Sequence, residues 1–246
     1  MRIVETCGCF PTGKHYPGIA HLIQIRAVGV AGEFEADGAW RDYPIAFVDT
    51  ETTGTDLKTD RIIEIAIVIG RSGEVFERTS WLVNPGVPIA KESTEIHGIT
   101  DADVADKPPL AAVLHEVLRC FEGALAAAYN AAFDRAFFLA ELERAGTPLA
   151  TRPPAVREDV DWLDPLVFAR EMFKGQGESR ALGAVAERLG VALERAHRAT
   201  DDAEAALRVL YVLSRDARVP RGYAALIQEQ RRLERLQREA QSFWRK

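Results

Sequence analysis

Cysteine and methionine are scarce in this chain of 246 residues, at three and two respectively. So few thiols exclude a disulfide-stapled secreted scaffold and suit a reducing compartment. The longest uncharged stretch near the middle, Gly123 to Phe133, falls far short of the roughly 20 apolar residues that cross a bilayer. The first residues, Met1-Arg2-Ile3-Val4-Glu5, lack the apolar core and small-residue cleavage site of a secretory signal. A cytoplasmic protein without membrane attachment is the expectation. Internal repeats and low-complexity tracts are missing too, which leaves an ordinary globular composition of 47% apolar and 28% charged residues.

The net charge of -6 argues by itself against a protein held on nucleic acid by bulk electrostatics. Its distribution is uneven. From Ala217 onward eight basic residues stand against three acidic ones, a balance of +5, so the first 216 residues carry -11. An acidic body is followed by a basic tail.

Residues 1–44 show no sustained periodicity, apart from a patch at His21 to Val30 compatible with a strand. Ile45–Val48, Ile62–Gly70 and Glu74–Val83 then read as strands, the last two joined by Ser72-Gly73 as an antiparallel pair. Pro109–Phe121 has helical spacing, Leu125–Tyr129 reads as a short buried strand, and Ala132–Ala145 is helical. Helices are expected over Trp162–Phe173, Arg180–Leu189 with Gly190 as its stop, and Thr200–Ser214. Hairpin-linked strands followed by alternating helix and strand predict an α/β domain with a mixed sheet.

Asp49 and Glu51 close the first apolar strand two residues apart, so their side chains share one side of the sheet. Left unpaired they repel one another, and a hard divalent cation resolves the conflict because Mg²⁺ and Mn²⁺ favour carboxylate oxygens. An isolated Asp-x-Glu is better explained by turn capping and solvation. Two further segments stand at helix starts, however: Asn130-Ala131-Ala132-Phe133-Asp134, and His197-Arg198-Ala199-Thr200-Asp201-Asp202. Asp is a common cap, but three acidic segments at element edges form a constellation.

With Phe47-Val48-Asp49-Thr50-Glu51-Thr52-Thr53-Gly54 as first motif, Asn130 to Asp134 as second, and His197, Ala199 and Asp202 as third, the chain resembles the DnaQ-like DEDDh 3′-to-5′ exonucleases, a family that includes polymerase proofreading subunits. The resemblance covers about residues 45–213. It is strengthened by Asn84-Pro85-Gly86 and by Glu95-Ile96-His97-Gly98-Ile99-Thr100. One departure is Tyr129, where many members carry His.

The resemblance implies a ribonuclease H-like mixed sheet flanked by helices; with the periodicity and charge pattern this gives residues 1–44 as an N-terminal extension, 45–215 as the exonuclease domain and 216–246 as a basic C-terminal helix. It implies two Mg²⁺ or Mn²⁺ ions held by Asp49, Glu51, Asp134 and Asp202, with His197 as general base. Thr52, Thr53, Ile96, His97 and Phe133 are implied near the terminal nucleotide, Ile96 and Phe133 by wedging or stacking and His97 by stacking or hydrogen bonding. For Ile96 and Phe133, ordinary core packing is nearly as good an expectation.

The expected activity is removal of nucleoside monophosphates from 3′ ends of nucleic acid, DNA before RNA, in proofreading, repair or end trimming. A 3′-to-5′ exoribonuclease and a catalytically silent nucleic-acid-binding scaffold are the alternatives. The tail places Leu226, Leu233, Leu236, Ala240 and Phe243 near one helical face. It suits packing on the domain, a polymerase or other DNA-processing partner, or contact with nucleic-acid backbone. Gly8 to His15 nearly spells a phosphate-binding loop but lacks the final Ser or Thr, and Pro17 obstructs the helix that should follow. Cys7, Cys9, His15 and His21 lack the usual zinc-ligand spacing.

Overall fold

The computed structural model describes residues 28–175, 177, 179–193 and 198–244. The phosphate-loop-like segment, Cys7, Cys9, His15, His21 and His197 lie outside the described residues, as does all of the His21 to Val30 patch before Val28. The central strand, β1, is Ile45–Thr52. Its side chains alternate between two apolar layers, Ile45 and Phe47 in one and Ala46 and Val48 in the other, as a pleated strand covered on both faces requires.

Strand β1 pairs antiparallel with β2, Ile62–Arg71, which pairs antiparallel with β3, Glu74–Leu82. Ser72 and Gly73 join β2 to β3 with φ of 56° and 98°. Two consecutive positive φ values give the turn whose twist suits a two-residue hairpin. On its other side β1 pairs in parallel with β4, Leu125–Ala128, so the order is β3-β2-β1-β4. The expected mixed sheet is the one that forms.

Two short helices, α1 (Lys91–His97) and α2 (Asp101–Val104), lie between β3 and α3, Leu110–Arg119. The reading of periodicity missed α1 and α2, which are too short to display it; α2 is held by a capping box between Thr100 and Asp103. Helices α3 and α4 (Ala131–Arg144) supply Leu114, Val117, Phe137, Phe138 and Leu142 to the layer on the Ala46 face. The opposite layer is built by α5 (Pro165–Met172), α6 (Leu182–Leu189), α7 (Ala199–Leu213) and α8 (Tyr223–Trp244).

The helix expected from Trp162 begins only at Pro165. Asp164 precedes a proline, which disfavours helical backbone there, and its carboxylate caps the helix by accepting from Leu166 N at 2.9 Å. The freed segment stays extended. Leu163 N donates to Ala126 O and Leu163 O accepts from Ala128 N, so residue 163 lies against β4 as the stub of a fifth strand, parallel to β4.

The first half of the C-terminal helix packs its apolar face inside this molecule. Leu226, Ile227 and Leu233 are buried in the α5–α8 layer, each stabilising it by roughly 1.5–3 kcal/mol. Arg231 pairs with Asp161, and Arg232 with Glu229. The start of α8 is also tied to residues 36–40, through Tyr223 N to Gly38 O, Ala224 N to Ala36 O and Trp40 N to Arg221 O. Of the expected apolar face of the tail, Leu226 and Leu233 pack on the domain, whereas Leu236 and Ala240 are exposed. Among the described residues no helix is long and apolar enough to cross a membrane.

Candidate active site

The parity of β1 builds the site. Asp49 and Glu51 continue the Ile45 and Phe47 series and therefore face the layer that contains α7. Asp202 lies in the first turn of α7. Ligand oxygens of Asp49, Glu51 and Asp202 all fall within 4.8 Å of one another. Residues more than 150 positions apart are thus brought to one point by a strand end and a helix start.

Asp134 reaches the same strand by another route. Strand β4 pairs with β1 only as far as Val48, which leaves the next stretch of that β1 edge open. Thr50 donates its backbone N–H, at 3.0 Å, and its hydroxyl, at 2.8 Å, to Asp134 Oδ1. Asp134 is thereby tied between Asp49 and Glu51 in sequence, without joining the tight group of three.

The carboxylates are mutually destabilising in the absence of cations. Burial, followed by the charges of Asp134, Glu51, Asp202 and Glu64, raises Asp49 well above the ordinary carboxylate range. Burial pushes Glu51 up to about 8, with Glu64, Asp202 and Asp134 adding to it. Asp134 is pushed up to about 7 by burial, against its hydrogen bonds from Thr50. Such clustered hard oxygen donors fit a divalent cation, which would return them to their charged forms.

Glu64 was not foreseen. It lies directly across from Glu51 in the β1–β2 register, a like-charge pairing that a sheet ordinarily avoids. Burial raises its pKa, while Arg198 opposes the shift. A lone acid inside Ile62-Ile63-Glu64-Ile65 was the available signal.

The residues expected around a substrate divide by exposure. Ile96 is 61% exposed, so its side chain is free to meet a base. Phe133 is partly buried against Phe137, with ring centroids 4.8 Å apart. His97 is buried, and its Nδ1 accepts from Ile99 N at 3.0 Å. Its Nε2 lacks a partner at full hydrogen-bond geometry; burial lowers the ring pKa more than the Thr52 backbone raises it. His97 therefore shapes the wall and presents no open face for stacking.

Thr52 and Thr53 are buried as well. Thr52 Oγ1 donates to Gly54 O at 2.6 Å, and Thr53 Oγ1 donates to Asp60 Oδ1 while accepting from Arg61 N. Their hydroxyls fold the loop after β1. Gly54 belongs to the same construction, because a Cβ there would sit 2.4 Å from Asp60 Oδ2. Tyr129, the departure in the second motif, donates its hydroxyl to Arg180 O at 2.7 Å and packs on the core.

The acidic group sets a pH dependence. Asp49, Glu51 and Asp134 bind protons more tightly when folded than at an unfolded pKa near 4. Each therefore destabilises the metal-free protein as pH rises from about 4 towards 8, by up to about 1.4 kcal/mol per pH unit. In chelator, the melting temperature at pH 5.5 is expected to exceed that at pH 8.5. Saturating Mn²⁺ should shrink or invert that difference, and identical curves under all conditions would contradict this electrostatic account.

A mixed sheet carrying clustered carboxylates at the end of its central strand, with helices on both faces, defines a nuclease of the ribonuclease H-like class. Residues 46–210 match the family model described as Exonuclease (RNase_T). The chain belongs to this exonuclease family, in its DnaQ-like DEDDh branch.

Among relatives, the DNA polymerase III PolC-type of Streptococcus suis (strain 98HAH33) is 34% identical over 183 residues, covering 74% of this chain and 12% of that protein. The PolC-type protein of Streptococcus thermophilus (strain ATCC BAA-491 / LMD-9) is 35% identical over 168 residues, covering 68% and 11%. The chain thus spans about an eighth of the length of these relatives.

Two solved structures share the fold. Exonuclease X in complex with 5′ overhanging duplex DNA gives a TM-score of 0.54 at 24% identity, covering 74% of this chain and 98% of that one. E. coli Exonuclease I in complex with a dT13 oligonucleotide gives 0.58 at 20%, covering 70% and 41%.

Proposed function

We propose that this protein hydrolyses the terminal phosphodiester bond at 3′ ends of DNA, releasing nucleoside monophosphates. The observation that carries this reading is the convergence of Asp49, Glu51 and Asp202 within 4.8 Å, with Asp134 fastened to the same strand. Asp49, Glu51, Asp134 and Asp202 would hold two divalent cations, Mg²⁺ or Mn²⁺. When bound, these supply positive charge to neutralise the phosphate, activate water and stabilise the leaving oxygen.

The chain's own residues supply the rest. His197, five positions before Asp202 in the third motif, accepts the proton of the attacking water. Exposed Ile96 offers an apolar contact to the terminal base, and partly buried Phe133 extends that surface. Neither contact reads hydrogen-bonding edges, so little sequence preference follows. DNA is favoured as substrate by the polymerase relatives and by the two DNA-bound neighbours.

The test is a 5′-labelled oligonucleotide, supplied as single-stranded DNA, as duplex DNA and as RNA, with Mg²⁺ or with EDTA. DNA should shorten progressively from its 3′ end only with the cation. Faster shortening of RNA would transfer the reading to an exoribonuclease, and binding without shortening would replace it with a silent scaffold.

A further inference from the structure

One buried carboxylate outside the four motif acids organises the second motif. Asp164 is 6% exposed. Its Oδ1 accepts from Asn130 N at 3.0 Å and from Leu166 N at 2.9 Å, and its Oδ2 accepts from Ala131 N at 3.1 Å. It therefore caps two helices at once, its own α5 and the remote α4. Helix α4 needs the help. Asn130 at its N-cap makes no side-chain cap bond and lies in the left-handed region with φ 69° and ψ 49°, a conformation that Asn tolerates better than most residues and that still requires support. Asp134 follows within the first turn of α4.

Asp164 is itself held from outside. In the strand stub, Leu163 turns its N–H and C=O inward to β4, so Trp162 C=O and Asp164 N–H face away from the sheet. Gln230 of α8, 3% exposed, meets both. Its Oε1 accepts from Asp164 N at 2.9 Å and its Nε2 donates to Trp162 O at 3.0 Å. One side-chain amide thus completes the sheet edge as the peptide group of a further strand would. Glu234 Oε1 accepts the second Nε2 proton at 3.1 Å.

We propose that Gln230 and Asp164 are positioning residues for catalysis, a relay through which the C-terminal helix fixes the start of α4 and thereby the placement of Asp134 against Thr50. The relay runs from Gln230 to residues 162–164, from the Asp164 carboxylate to Asn130 and Ala131, and through one helical turn to Asp134. It rests on the nuclease reading only in taking Asp134 as a cation ligand. Groups that orient the ligands of a metal site commonly change metal affinity or activity by about 10- to 100-fold when removed.

The test compares the full-length parent with Asp164→Asn, Asp164→Ala, Gln230→Ala and Gln237→Ala. Gln237 is the control, since it also joins α8 to the body, through Val167 O at 2.9 Å, but touches nothing in the relay. Three quantities are measured: Mn²⁺ affinity by calorimetry, hydrogen exchange at the Asn130 and Ala131 amides, and kcat and KM on single-stranded DNA.

Asp164→Ala should weaken Mn²⁺ binding and lower kcat by about 10- to 100-fold, with faster exchange at both amides. Asp164→Asn, which can keep the Oδ1 contacts and lose the one to Ala131, should fall between it and the parent. Gln230→Ala should weaken Mn²⁺ by several-fold, while Gln237→Ala leaves affinity and amide protection unchanged. Parent-like Mn²⁺ affinity and protection in Asp164→Asn and Gln230→Ala would overturn the relay, even if Asp164→Ala fails to fold. An effect of Gln237→Ala equal to that of Gln230→Ala would overturn it too, by reducing both to general helix docking. A parent that binds Mn²⁺ yet cleaves no nucleic acid would defeat the nuclease reading and leave the affinity and exchange results to judge the relay.

Discussion

Asp49→Asn is expected to abolish hydrolysis and, in the same protein, to raise the stability of the metal-free fold at alkaline pH. The two effects share a cause. Asp49 lies within reach of Glu51 and Asp202 and feels the charges of Asp134 and Glu64 as well. Its charge is costly to an empty site and indispensable to a loaded one. A cation in such a site contributes several kcal/mol to the transition state, so losing a central ligand should reduce turnover on the order of 10³-fold or more. Asn preserves the shape of Asp and removes the charge, so repulsion is relieved without a cavity. At pH 8 in chelator the melting temperature should rise, by about 2–4 °C for each kcal/mol relieved in a chain of this size. Scanning fluorimetry with and without Mn²⁺, beside a cleavage assay, reads both. A variant that retains a tenth of parental turnover, or melts lower in chelator, would remove Asp49 from the centre of the site.

The same carboxylates explain what could be read without coordinates. Period-two alternation, a local fact, puts Asp49 and Glu51 on one side of the strand, the resemblance to the family's third motif chooses Asp202 over Asp201, and the fold brings those three together. The sheet was legible for the same reason, each strand being a short apolar run bounded by turn residues. Non-local relations were hidden. Nothing in the sequence says that Glu64 lies opposite Glu51, which depends on register. The acids from Glu158 to Asp164 suit capping and solvation, with Asp161 or Asp164 also open to a place behind the metal ligands; which backbone amides Asp164 holds is a non-local fact. Thr52, Thr53 and His97 are placed near a substrate by the resemblance alone, and the sequence does not show that the Thr hydroxyls and His97 Nδ1 are engaged within the loop and the wall. A motif match places a residue near the site without deciding which way its side chain points.

His197→Ala is expected to separate chemistry from cation binding. The inventory of histidines is small, five in all. His97 is buried with Nδ1 committed to Ile99 N, and His115 lies exposed on α3 beside Glu116. Neither stands in the third motif beside Asp202, and His15 and His21 belong to no motif. His197 stands outside the described residues, so its assignment rests on the third motif, which also delivers Asp202 to the site. Loss of a general base typically costs about 10²- to 10⁴-fold in turnover, here without loss of a carboxylate. Mn²⁺ affinity should therefore stay within a few-fold of the parent, whereas Asp49→Asn should lose it. The pH profile gives an independent sign. A base must be neutral to accept a proton, so kcat of the parent should rise with pH through the range where imidazole titrates, around 6 to 7. That limb should flatten in the variant. Turnover unchanged by His197→Ala, or a limb of unchanged slope, would assign proton removal to another group and leave the carboxylates as the whole of the catalytic machinery.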